Sequence, residues 1–131
     1  RQHHFIKFVQ LSQEIKYGAN KMISLHVYFT PKIGQDKALE NGISEEWIAA
    51  MAMQEGFLKA VTLKRFSDSS IKKVGGIIPE NLFEVISYWN SEEERLAWVA
   101  KPIHDQVFNP LIALSGKVNF TLQNVKHTWG F

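Results

Sequence analysis

The stretch MISLHVYF, Met22 to Phe29, alternates: Ile23, Leu25, Val27 and Phe29 fall on one side, Ser24, His26 and Tyr28 on the other. A period of two predicts a strand with one buried face, ended by Thr30-Pro31. The period then changes. Between Gly34 and Gln54, Leu39, Ile43, Trp47, Ala50, Met51 and Gln54 recur at spacings of three and four, which predicts a helix with one mostly apolar stripe. Asn41-Gly42 weakens that helix, glycine costing about 1 kcal/mol relative to alanine. Ser44, followed by Glu45 and Glu46, predicts a restart, with the serine as cap and the acids at the positive end of the dipole. Gly56 supplies the stop.

The second half repeats the alternation of types. Phe57 to Phe66 reads as a second strand and Ser67 to Asn81, with Gly75-Gly76 and Pro79, as a long connection with room for a short hairpin of its own. Leu82 to Trp89 reads as a third strand, with Phe83, Val85, Ser87 and Trp89 on one face. Ser91 and Glu94 have the spacing of a capping box. Pro102 ends the helix that follows and suits the first turn of another. There Ile103, Val107, Phe108, Leu111 and Leu114 form the stripe, with Pro110 as an expected interruption. Lys117 to Trp129 reads as the fourth strand. The order βαββαβ predicts a ferredoxin-like α+β domain, an antiparallel sheet with helices on one face. Both faces of the sheet carry apolar or aromatic residues, so the open face is expected to pack against a second copy, giving a homodimer.

Composition narrows the function classes. The 131 residues are 45% apolar and 21% charged, ordinary for one globular domain. Residues 1–21 hold four bases and one acid, net +3, whereas residues 22–131 hold eleven bases and twelve acids, net −1. The body therefore offers no basic footprint for nucleic acid. Residues 1–21 are expected to be an N-terminal extension outside the chemistry, and residues 22–131 a single domain. No apolar run approaches the roughly 20 residues that cross a bilayer. The absence of cysteine removes disulfides and thiolate metal sites and favours a reducing, cytoplasmic setting, or an organelle if the extension is a transit remnant. His3 and His4 lack a third ligand, no histidine–carboxylate cluster has metal spacing, and Gly75-Gly76 lacks the flanks of a phosphate loop. No metal is expected.

Two separated stretches, EEWIAAMAMQEGFLKAVTLKRF and FEVISYWNSEEERLAWVAKPIHD, together resemble the antibiotic biosynthesis monooxygenase family. The features that carry the resemblance are the Gln-Glu-Gly-Phe-Leu turn and a tryptophan followed by Ser-Glu-Glu, a second tryptophan and Pro-x-His. It spans most of Met22 to about Lys126. It implies a ferredoxin-like domain that pairs into a dimeric α+β barrel. It also implies oxidation of a small aromatic, anthrone- or quinol-like substrate by O2 without a cofactor. Such chemistry needs a water-poor apolar pocket, a proton acceptor and donors that hold the substrate anion. The sequence departs from the family pattern where anthrone-oxidising members have an asparagine and a tyrosine; Val85 and Arg95 stand there. Trp98 matches a tryptophan of haem-degrading relatives, but Phe108 stands where they have histidine, and their first-strand asparagine has no counterpart here.

The candidate site follows. His104, just after Pro102, is the expected proton acceptor or substrate anchor. Trp89, Trp98 and Phe108 are expected as pocket walls, and His26 and Tyr28 as polar substrate contacts. The competing readings are a non-catalytic dimeric small-ligand-binding or stress-related protein and, behind it, a haem-degrading monooxygenase.

Overall fold

The alternation after Met22 becomes strand β1 (Ile23–Pro31) in the computed structural model, which describes residues 21–130. The expected extension, His3 and His4 included, lies outside the described residues except for Lys21. The first helical stretch is one rod of three parts: α1 (Asp36–Gly42), a π-helical turn (Ile43–Ile48) and α2 (Ala49–Met51). Then come β2 (Phe57–Lys64), α3 (Asp68–Lys73), β3 (Phe83–Trp89), α4 (Glu92–Val99), α5 (Pro102–Ala113) and β4 (Ser115–Asn124). The sheet order is β2-β3-β1-β4, antiparallel throughout. This is the expected ferredoxin-like α+β arrangement, with β1 bonded on both sides.

The rod shows how the sequence overrides a regular helix. Its buried residues Leu39, Ile43, Trp47 and Met51 recur strictly at four. At 100° per residue such a stripe drifts about 40° per step around a regular helix. The wider i→i+5 turn at Ile43–Ile48 reduces that drift and keeps Trp47 on the core side. Ser44 does not cap a restart; its hydroxyl donates to the Glu40 carbonyl, 3.2 Å away. Gly42, a weak point on propensity, has a packing reason. A Cβ there would stand 2.7 Å from Leu111 Cδ2, so any larger residue would have to push that buried methyl aside.

The core lies between the sheet and the long helices. Ile23, Val27, Phe29, Phe83, Val85 and Trp89 meet Leu39, Ile43, Trp47, Met51, Trp98, Val107 and Leu111. Burying each large side chain stabilises the fold by roughly 1.5–3 kcal/mol. Three sequence expectations change. The connection after β2 contains a helix, α3, capped by Ser67, whose Oγ accepts from the Ser70 N–H. Pro110 does not interrupt α5, which runs on to Ala113, although a proline there gives the Gln106 carbonyl no helical N–H to accept from. The fourth strand stops at Asn124 rather than Trp129, because β1 begins at Ile23 and the pairing closes with the Val125 N–H bonded to the Met22 carbonyl at 2.9 Å.

Candidate functional site

A cavity of about 200 Å³ opens between the helix-facing side of the sheet and α4 and α5. Leu25 and Val27 of β1, with Val118 and Phe120 of β4, form its sheet wall. Arg95, Trp98 and Val99 of α4, His104 and Phe108 of α5, and Trp47 of the π turn complete it. Beyond Arg95 and His104 the lining is almost wholly apolar or aromatic. Such a wall excludes water and strengthens any charge interaction inside it.

The start of α4 is fixed as expected, with one change of detail. Ser91 Oγ accepts from the Glu94 N–H at 3.2 Å and donates to Glu94 Oε1 at 3.1 Å, so the carboxylate bonds the cap's hydroxyl rather than its backbone N–H. The turn between α2 and β2 packs against this helix start and depends on Gly56, at φ +89°, where an added Cβ would lie 2.5 Å from Glu94 Cβ. Four residues after Ser91, buried Arg95 is held by a two-pronged ion pair with Glu92, Nε to Oε1 and Nη2 to Oε2, both 2.7 Å. Pro102 opens α5 as expected, which puts His104 in the first turn.

His104 is the polar centre of the cavity. Its side chain is 16% exposed, and Nδ1 lies 3.0 Å from Asp105 Oδ1. An ionised carboxylate only accepts, so this pairing selects the tautomer with the proton on Nδ1, the one whose Nε2 has a lone pair to accept with. The imidazole stacks on Phe108 (5.5 Å, 27°) and meets Trp98 edge-on (5.2 Å, 78°). Phe108 in turn leans on Trp47 at 5.1 Å. The helices therefore bring His104, Trp98 and Phe108 together.

The other candidate residues lie elsewhere. Trp89 faces the helices but is wholly buried away from the cavity; its indole N–H donates to Ser87 Oγ at 3.0 Å and its ring meets Phe57 edge-on. His26 and Tyr28 point from the opposite, open face of the sheet, beside Ile86 and Glu84 in the register. There His26 Nδ1 faces Glu84 Oε2 at 3.1 Å and Nε2 faces Ser24 Oγ at 2.8 Å. Serine, histidine and carboxylate stand in the order of a nucleophilic relay. Yet Ser24 is 4% exposed, and β1 spends its backbone groups on ladders to both neighbours, leaving no local pair of N–H groups for an oxyanion. The Tyr28 phenol is raised above its ordinary pKa by burial first and the Glu84 charge second.

Sequence reasoning missed Trp47 and Arg95 as site residues. Trp47 looked like any member of a core stripe. Arg95 did carry a signal, standing three residues before Trp98 and so on the same helical face. Among the described residues no cluster of histidine and carboxylates could hold a metal, and no helix is long and apolar enough to cross a membrane.

No family model and no curated protein sequence matches this chain. Solved structures do. SnoaB, a cofactor-independent oxygenase from Streptomyces nogalater, is 21% identical over 85% of this chain and 99% of its own, with a TM-score of 0.66. A hydroxynitrile lyase from Passiflora edulis is 9% identical over 84% and 98%, at 0.69. A dimeric protein of ferredoxin-like fold from Bacteroides fragilis is 12% identical over 80% and 97%, at 0.61. At these identities the likeness is one of fold, and that fold is the ferredoxin-like one shared by the structures of antibiotic biosynthesis monooxygenase type.

Proposed function

We propose that this chain is a cofactor-independent monooxygenase that oxidises a small quinol-like aromatic with O2. The observation that carries the reading is His104, oriented by Asp105 through Nδ1 and set in the wall of an apolar cavity beside Arg95. Size selects within the substrate class. An apolar cavity of about 150 Å³ holds benzene, so about 200 Å³ suits one or two fused rings better than a three-ring anthrone. It is too small for a tetrapyrrole, which argues against haem degradation.

The chemistry follows from the parts. His104 Nε2 takes the phenolic proton, and the guanidinium of Arg95 steadies the resulting anion. The electron-rich anion passes one electron to O2, and the substrate radical and superoxide recombine at a ring carbon. The peroxide anion takes the proton back from His104, and the resulting hydroperoxide loses water to leave a carbonyl, so two substrate hydrogens and O2 give one C=O and one H2O. The protein works as a homodimer whose sheets meet through their open faces.

A second reading has its own support. Val85 and Arg95 replace the polar pair of the anthrone-oxidising relatives, and Arg95 is already neutralised by Glu92; a dimeric binding protein would keep the cavity without the reaction. Oxygen uptake by metal-stripped protein with mono- and bicyclic hydroquinones separates the two. Saturable uptake is expected, falling roughly 10²- to 10⁴-fold in kcat/KM for His104→Ala. Binding without uptake leaves the binding-protein reading.

A further inference from the structure

Trp47 combines two properties that no other described residue shares. It lines the cavity, and its Nε1 is the one buried side-chain nitrogen or oxygen with no hydrogen-bond partner among the described residues. A buried donor without an acceptor ordinarily costs about 1–3 kcal/mol. The other fully buried indole shows the usual solution, since the Trp89 N–H is bonded to Ser87 Oγ. Trp47 is held in this unsatisfied position by a local departure from helical geometry, the π turn that rotates it inward. Edge-on contact with Phe29 at 5.8 Å and a tilted contact with Phe108 at 5.1 Å fix its ring.

We infer that the Trp47 indole N–H is the donor for an oxygen of the bound aromatic, at the inner end of the cavity. The inference rests on the cavity being the substrate site, as proposed above, and adds a specificity element to it. Because the N–H is already stripped of water, bonding a ligand oxygen requires no further desolvation of the donor. The gain is therefore larger than for a donor that leaves water behind. Nε1 itself is closed off, so a ligand oxygen reaches it as the rings packed on the indole, the half-buried Phe108 among them, give way. The site then selects oxygenated rings over hydrocarbons of the same shape, since a hydrocarbon leaves the donor unpaired.

The test compares 1,4-naphthohydroquinone with naphthalene under nitrogen, following indole-labelled protein by ¹⁵N–¹H NMR and binding by tryptophan fluorescence. With the hydroquinone, the Trp47 Nε1–H proton should move downfield while the Trp89 signal, already bonded, stays in place. Trp47→Phe should weaken the hydroquinone roughly tenfold and naphthalene less than twofold. Hydroquinone bound with the Trp47 N–H unmoved overturns the inference and spares the cavity. Failure of both probes to bind the unaltered protein overturns the cavity reading and the inference together. If Trp47→Phe does not fold, the spectrum of the unaltered protein still decides.

Discussion

The two faces of the sheet are built from alternate residues of the same strands and differ in almost everything else. The helix face carries Val27, Phe29, Phe83, Val85 and Trp89, nearly all dry, and leaves a hollow only where β4 runs past the helices with Phe120 two-thirds exposed. The open face carries the polar chain Ser24–His26–Glu84 at its centre, with Val61, Leu63 and Ile86 on the β2 side and Asn119, Thr121 and Gln123 on the β4 side. An apolar patch bordered by polar groups is what a subunit contact requires. Apolar surface around an oriented imidazole is what base chemistry requires. On the proposed function the two faces divide the work, recognition of the partner on one side and of the small molecule on the other.

That division can be broken, and the largest effect belongs to the helix face. Trp98→Ala removes a buried side chain that packs on His104, and should destabilise the fold by about 3–5 kcal/mol while abolishing ligand binding. Denaturant titration and fluorescence measure both. A loss of ligand affinity with full stability would show that Trp98 serves the cavity and not the core.

On the open face a charge should separate subunits without unfolding them. Ile86→Asp places a carboxylate at the centre of the proposed contact, which should weaken dimerisation by roughly 3 kcal/mol, about a hundredfold in dissociation constant. Light scattering across a dilution series reads the mass, and circular dichroism checks the fold. An unchanged mass would mean that this face is not the interface.

The smallest effect sharpens the contrast through pH. The folded pKa of Tyr28 lies above its unfolded value, because burial and Glu84 disfavour the phenolate. Between those two values the folded state holds the extra proton. The stabilising contribution is therefore complete below about pH 10 and is lost as pH rises through the folded pKa. Tyr28→Phe should change stability by about 0.5 kcal/mol or less at neutral pH, while flattening the decline above pH 10. Stability of both proteins at pH 8 to 11, by denaturant titration, tests the sign.

Much of this architecture is legible in the chain because it rests on local rules. Period two marks β1 and β3, Ser91 and Glu94 mark the start of α4, and Pro102 marks the start of α5. What escapes is whatever depends on distant atoms. Gly42 looks destabilising until Leu111 is seen against it. Ser67 capping α3 is visible only once Asp68–Lys73 is known to be helical. The spacing of Leu39, Ile43, Trp47 and Met51 names the buried residues, but not the change of hydrogen bonding that keeps them aligned. The site divides likewise. His104 and Trp98 stand out by position, whereas the importance of Trp47 lies in a missing partner, and no sequence pattern records an absence.

One consequence of β1 concerns how this protein can evolve. Ser24, Leu25, His26 and Val27 alternate between the open face and the cavity, and β1 is locked by pairing on both edges. Gaining or losing a single residue in that strand would exchange the two inventories, putting histidine among the core aromatics and valine in the open network. Variation in the cavity can therefore accumulate on α4, α5 and the π turn, where a side chain changes one face at a time. In β1 substitution is open but length is closed. The strand acts as the ruler against which both faces are set, and descendants should keep its register while their helices diverge.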